Sequence, residues 1–209
     1  MRFSAYCYAI EPDQFLFVGL SNGKIFYYKK KNMENKYLVQ QGKEHEQVEL
    51  VSPQAHKGEI RKLIYTVIDD LHVLISASAD RTIKLWEPKN TKGDKCFQTI
   101  IGHERSLLDM IYLEKVRLLF TSSTDGTMRI WRIDSARQLL LYPWFVIFQI
   151  VNDLPSARSN SLDSRVWLTC FDAKQGESLL VFAGDTEGSL LIFEALENWR
   201  EQKDCFFRC

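Results

Sequence analysis

Ile75-Ser76-Ala77-Ser78-Ala79-Asp80-Arg81-Thr82-Ile83-Lys84-Leu85-Trp86 is echoed by Phe120-Thr121-Ser122-Ser123-Thr124-Asp125-Gly126-Thr127-Met128-Arg129-Ile130-Trp131. Asp80 and Asp125 stand 45 residues apart, and so do Trp86 and Trp131. A fixed period of this size marks one supersecondary unit repeated and stacked on itself. Weaker copies flank the pair, at Phe15 to Tyr28 and Leu180 to Phe193. In every copy a polar turn residue precedes an aromatic by six positions: Asn22 and Tyr28, Asp80 and Trp86, Asp125 and Trp131, Glu187 and Phe193.

The local chemistry is that of a β-hairpin. A β-rich apolar run meets Asn-Gly, Asp-Arg, Asp-Gly or Glu-Gly, and a second β-rich run follows. Asn and Asp bond their own turn, and Gly takes positive φ without steric cost. Arg81 stands where the other units have Gly, which predicts a turn of another type in the second unit. Strand-like runs lie upstream of each hairpin, from Phe3 to Ile10, Ile60 to Val67, Leu107 to Leu113 and Val166 to Phe171. Another follows the second hairpin, from Cys96 to Ile101. About four strands per unit is the make-up of a propeller blade.

These units resemble the WD-repeat family, whose repeats open near a Gly-His and close near a Trp-Asp. Gly102-His103 precedes the third unit and Ala55-His56 the second, while the closing dipeptides are degenerate, Trp86-Glu87 and Trp131-Arg132. The resemblance implies an all-β propeller of four-stranded blades. It also implies a buried hydrogen-bonded set in each strong unit. One set is His56, Ser76 or Ser78, Asp80 and Trp86; the other is His103, Thr121 or Ser122, Asp125 and Trp131. Such a set has an energetic rationale, because a buried carboxylate is costly unless bonded and an indole N–H needs an acceptor. The first and fourth units lack the His and the Trp, so they are expected to rest on apolar packing alone.

The units divide the chain into residues 1–54 (first blade plus an inserted loop), 55–101 (second blade) and 102–142 (third blade). Residues 143–198 hold an insertion and the fourth blade, and 199–209 form a tail. The uneven spacing of the repeats places the insertions within 31–54 and 143–165, both rich in loop-forming residues. Four units fall short of the roughly seven that the resemblance implies for a ring, within the 4–8 known for propellers. The expected architecture is therefore an incomplete ring or a fragment, with a half-ring completed by another chain or a closed four-blade ring as alternatives. Little after Phe193 is expected to supply an outer strand.

Composition narrows the function. Lys plus Arg number 27 and Asp plus Glu number 27, so the chain lacks the basic excess of a nucleic-acid binder. The longest apolar stretch, Leu139 to Val151, is too short for a bilayer span of roughly 20 residues and reads instead as a buried strand. No membrane and no nucleic acid are expected as partners. Five scattered cysteines without a Cys-x-x-Cys pair suit a reducing, cytoplasmic compartment. Cys205 and Cys209 have no further ligands spaced with them, so no metal and no cofactor are expected.

No catalytic constellation is present: there is no nucleophile elbow, phosphate-cradling Gly-rich loop or His-Glu-x-x-His. His45 lies between Glu44 and Glu46 in the first insertion, and reads as part of a solvated charged loop. The expectation is a non-enzymatic scaffold that binds other proteins within a larger assembly and takes no small-molecule substrate. Its expected setting is cytoplasmic, narrowed by family likeness to cytoskeletal or ciliary. The alternative is a substrate-recognition module of a ubiquitin ligase or other enzyme complex. The Trp-Asp-x-Arg signature of some ligase receptors is absent at Trp86 and Trp131. Candidate partner-binding residues are Lys57, Glu59 and Arg61 after the first His, Glu104 and Arg105 after the second, Arg81 in its turn, and Trp144 in the second insertion.

Overall fold

The four hairpin turns all close in one way. The carbonyls of Leu20, Ser78, Ser123 and Asp185 accept the amide N–H three residues on, from Gly23, Arg81, Gly126 and Gly188, at 3.1, 3.2, 3.1 and 3.4 Å. The residue that donates is left-handed in each case, with φ of 79°, 74°, 81° and 83°. Arg81 thus adopts the conformation of the three glycines, and the expected change of turn type does not occur. An L side chain there costs about 1–2 kcal/mol that Gly does not. Arg81→Gly should therefore stabilise the chain by about 1 kcal/mol in urea unfolding. Unchanged or lower stability would mean that Arg81 makes contacts outweighing the strain.

The structure is a computed structural model that describes residues 5–11, 15–29, 48–52, 55–90, 95–133, 148–149, 167–175, 179–195 and 207–208. Among them every regular element is a strand. They run β1 (Ala5–Glu11), β2 (Phe15–Leu20), β3 (Ile25–Lys29), β4 (Val48–Ser52), then β5 (Ile60–Ile68), β6 (Leu71–Ser78), β7 (Thr82–Trp86) and β8 (Cys96–Ile101). The second half follows with β9 (Leu107–Leu113), β10 (Leu118–Ser123), β11 (Thr127–Arg132), β12 (Phe148–Gln149), β13 (Leu168–Gln175), β14 (Leu179–Asp185), β15 (Leu190–Ala195) and β16 (Phe207–Arg208). Each consecutive four makes one antiparallel up-and-down sheet. The first two strands of every sheet meet through a bulge or irregularity near the turn end, which sets Ala5, Ile60, Leu107 and Leu168 opposite Leu20, Ser78, Ser123 and Asp185.

Two of the fourth strands, β4 and β16, depart from the sequence reading. β4 lies in the stretch read as an inserted loop. β12 pairs Met128 with Phe148 and Thr127 with Gln149, inside the apolar stretch Leu139 to Val151 that reads as a strand. β16 pairs Glu194 with Arg208, so the tail, from which no strand was expected, closes the fourth sheet. A two-residue strand such as β16 is too short to show an alternating pattern, so pairing geometry alone reveals it.

The chain divides into two units, Met1–Gly102 and His103–Cys209. In the first, Ala9, Phe17, Ile25 and Tyr27 of the first sheet pack on Ile60, Leu63, Leu74 and Trp86 of the second. Phe17 also stacks on Tyr65, with ring centroids 5.8 Å apart. In the second, Leu113, Leu118, Phe120, Met128 and Ile130 pack on Leu168, Val181, Ala183 and Leu191. Strand alternation sends every second residue to this face, and each large side chain so buried contributes roughly 1.5–3 kcal/mol.

Candidate interaction surface

At the turn end of the second sheet, the loop entering β5 carries His56 over the hairpin. The His56 ring lies between Asp80 Oδ2, 3.0 Å from Nδ1, and Ser76 Oγ, 2.7 Å from Nε2. The Trp86 indole N–H donates to the same Ser76 Oγ at 2.8 Å. All donors can run one way: Trp86 to Ser76, Ser76 to His56 Nε2, and His56 Nδ1–H to Asp80. That order requires a neutral imidazole protonated on Nδ1. Asp80 is further held by the Lys57 amide at 2.8 Å, the Thr82 amide at 3.0 Å and the Thr82 hydroxyl at 2.6 Å.

The third sheet repeats the arrangement. His103 Nδ1 lies 2.9 Å from Asp125 Oδ2 and its Nε2 lies 2.8 Å from Thr121 Oγ1, which accepts from the Trp131 indole at 2.9 Å. The Glu104 amide, the Thr127 amide and the Thr127 hydroxyl complete the shell of Asp125. The geometry thus chooses Ser76 and Thr121 for the His-and-Trp position. Ser78 instead accepts the Asp80 amide and donates to the Gly58 carbonyl. Ser122 is buried, and its hydroxyl has no hydrogen-bond partner among the described residues.

Sequence reasoning missed Thr82 and Thr127. The available signal was Asp-x-Thr, present in both strong units and replaced by Asn22-Gly23-Lys24 and Glu187-Gly188-Ser189 in the weak ones. The weak units also do not rest on apolar packing alone. Asn22 Oδ1 accepts the Lys24 amide at 3.1 Å. In the fourth unit the exposed Glu187 is not the turn's carboxylate. Asp185, two residues earlier, accepts the Glu187 and Ser189 amides at 2.9 and 2.7 Å. It stands where Ser78 and Ser123 stand in the strong units.

Burial pulls the His56 and His103 imidazoles below their ordinary value, outweighing the adjacent Asp80 and Asp125. Burial pushes both carboxyls up, but the bonds from His, Thr and backbone amides prevail and hold them well below the carboxylate range. Both effects act in the same direction on stability. As pH falls below 6.5, the unfolded chain takes up protons on these imidazoles before the folded chain does, and stability is lost. Below 3.8 the same holds for the carboxyls, whose contribution vanishes as pH falls through their folded values. The melting temperature should be level near pH 7–8, decline below about 6.5 and steepen below about 4. Stability rising from pH 7 to pH 5 would contradict a neutral, buried pair of histidines.

The backbone of Lys57 and Glu104 serves these locks while both side chains stay exposed, as do those of Arg81 and Arg105. Glu59 and Arg61 form an ion pair with each other. Trp144 and His45 lie outside the described residues. His72 bonds the Tyr65 hydroxyl through Nδ1 and lies 3.1 Å from Lys89 Nζ through Nε2. Among the described residues no three His, Cys, Asp or Glu side chains are grouped to hold a metal ion, and no helix is long and apolar enough to cross a membrane.

Residues 48–87 and 94–132 each match the family model described as WD domain, G-beta repeat. Protein TPR3 of Oryza sativa subsp. japonica is 28% identical over 142 residues, 65% of this chain and 11% of that protein. Topless-related protein 4 of Arabidopsis thaliana is 24% identical over 142 residues, again 65% and 11%. Nuclear distribution protein nudF of Aspergillus flavus is 33% identical over 78 residues, 37% of this chain and 17% of that protein. The matched part of the chain spans only these minor fractions of its relatives' lengths. Two WD40 β-propeller structures superpose on it. The computationally designed Ika4 protein gives a TM-score of 0.58 at 16% identity, covering 92% of this chain and 91% of that one. A chain of the Mitotic Checkpoint Complex gives 0.54 at 17%, covering 87% and 44%. At such identities the likeness concerns the fold alone.

Proposed function

We propose that this chain, a member of the WD-repeat family, works as a non-catalytic scaffold that binds other proteins within a larger assembly. WD40 repeats are in general interaction domains. The observation that carries the reading is where the reactive groups sit. The two His–Asp pairs that could resemble acid–base machinery are closed by Trp, Ser or Thr and backbone amides, which leaves neither carboxylate turned toward a substrate. Around them the exposed groups are charged side chains on short, rigidly bonded loops. Arg is enriched at the energetic centres of protein interfaces, and Arg81 stands exposed on a strained turn.

The proposal includes a cytoplasmic setting, with a cytoskeletal or ciliary assembly as its narrower form. The free thiols of Cys7 and Cys170 support a reducing compartment. The test is affinity purification of the tagged chain. Stable partners in fixed stoichiometry are expected, and Arg81→Glu should deplete at least one of them without lowering the melting temperature. Unchanged recovery with Lys57, Arg81, Glu104 and Arg105 all reversed in charge would remove these loops as the binding surface. Turnover of a small substrate by the purified chain would remove the scaffold reading.

A further inference from the structure

Each unit contains one sheet-to-sheet junction, and the two junctions use equivalent positions. In the first unit, Cys7 and Gly19 face each other across β1 and β2. They form a socket for Ile60, the leading residue of β5: a Cβ on Gly19 would lie 2.6 Å from Ile60 Cγ2 and 2.8 Å from Cys7 Sγ. The Cys7 thiol donates to the Ile60 carbonyl at 3.6 Å, and burial pushes its pKa up to about 12. In the second unit, Asp109 takes the place of Cys7 and accepts the Phe171 amide of β13 at 2.9 Å. Beyond the socket, Ile25 and Tyr27, or Met128 and Ile130, complete the donor face. Leu63 and Tyr65, or Phe171 and Ala173, stand on the receiving strand.

The fourth sheet repeats the socket and the apolar positions of β15, with Asp172 in the place of Ala9, and nothing described fills it. Cys170 faces Gly184 across β13 and β14, after the same bulge. A Cβ on Gly184 would meet only Cys170 Sγ at 2.8 Å and Thr169 Oγ1 at 3.9 Å. Leu190 and Ile192, the counterparts of Ile25 and Tyr27, are 68% and 46% exposed, whereas Ile25 and Tyr27 are 0% and 7% exposed. The first sheet presents the matching receiving face. Tyr8 and Ile10, the counterparts of Leu63 and Tyr65, are 68% and 59% exposed. One chain therefore carries both uncovered halves of a junction that it already makes twice. Asp172 and Lys174 stand exposed on the β13 strand beside the vacant socket.

We infer that the fourth sheet of one chain docks on the first sheet of a second copy, head to tail. Ala5 enters the Cys170–Gly184 socket as Ile60 enters its own, with Leu190 and Ile192 packed on Tyr8 and Ile10. The contact is heterologous, since different faces of the two copies meet. It goes beyond the scaffold reading and does not depend on it.

Sedimentation of the intact chain should give a mass of two chains or more. Leu190→Asp with Ile192→Asp, and separately Tyr8→Asp with Ile10→Asp, should each yield monomer. Mixing the two variants should restore a heterodimer through their one intact pair of faces. Independently of those substitutions, Ala5→Cys should crosslink to Cys170 of another copy under mild oxidation, and Cys170→Ser should abolish that band. A wild-type chain that stays monomeric at its highest soluble concentration would leave these faces to a different protein's sheet and overturn the proposal. So would a dimer indifferent to either pair of substitutions, or an Ala5→Cys chain that forms no crosslink through Cys170.

Discussion

Replacing Asp80 or Asp125 with Ala should cost about 1–3 kcal/mol, a sizeable share of the roughly 5–15 kcal/mol that holds a typical domain together. The carboxylate of Asp80 takes four hydrogen bonds, from His56, the Lys57 amide, the Thr82 amide and the Thr82 hydroxyl. Asp125 takes the same four from His103, Glu104 and Thr127. Truncation leaves the His Nδ1–H and the Thr amide, both in part-buried bonds, without their acceptor at about 1–3 kcal/mol, while the exposed Lys57 or Glu104 amide can turn to water. The effect runs outward along the chain of donors, because the imidazole loses the partner that orients it toward Ser76 and Trp86. Asn at either position keeps an acceptor and should recover part of the loss, while removing that carboxyl from the acid titration. Two further substitutions separate the paired hydroxyl positions. Thr121→Val should cost about 2 kcal/mol by stranding the Trp131 indole, whereas Ser122→Ala should be neutral or stabilising, because its buried hydroxyl has no partner to lose. Urea unfolding measures all of these. A loss below about 1 kcal/mol for both Asp→Ala variants would show that the network is not buried as described.

Gly23→Ala should be comparably severe, and for a different reason. Gly23 has φ +79°, and a Cβ there would lie 2.2 Å from the His56 carbonyl oxygen and 2.8 Å from that of Gly58. Those are backbone atoms of the loop that carries His56, and the His56 amide itself donates to the Gly23 carbonyl at 3.0 Å. The left-handed conformation costs about 1–2 kcal/mol for Ala, and forcing the loop aside adds about 1–3 kcal/mol. The loop can yield only by drawing His56 away from Asp80. Gly126 and Gly188 are the controls: both have positive φ, but a Cβ on either meets nothing within 4 Å. Ala at those positions should cost about 1 kcal/mol. Chemical unfolding of the three variants side by side decides the matter. Equal losses would mean that the first turn does not press on the His56 loop.

Several features of this site were legible because they repeat. The 45-residue echo and the six-residue step from turn to aromatic located four hairpins, and β8 and β9 stand at Cys96–Ile101 and Leu107–Leu113 as the apolar runs predict. His56, Asp80 and Trp86, and their counterparts His103, Asp125 and Trp131, could be named because their side-chain types recur at matched spacings. The hydroxyl partner could not be. Ser76 and Ser78 are the same residue type two positions apart on one strand, so both face the same side of it. Only the reach of the imidazole and indole distinguishes them. Asp185 escaped notice for a related reason. Its function moved two residues upstream from the repeat's acidic position, and a spacing rule reads that as absence.

The sequence by itself determined that this chain repeats a hairpin, that two copies carry a polar lock and that the charge balance disfavours nucleic acid. These are properties of residue type at fixed separation, and local backbone chemistry is enough to express them. Tertiary structure decided the rest. It set Arg81 in the left-handed turn conformation of its glycine counterparts, because closing the hairpin onto Ser78 outweighs the preference of an L side chain. It drew β4 and β16 from stretches read as a loop and a tail, because an unpaired sheet edge supplies the hydrogen bonds that specify a short strand. It also left Leu190, Ile192, Tyr8 and Ile10 uncovered. Burial belongs to the partner as much as to the residue, and no pattern within one strand says whether another sheet stands opposite.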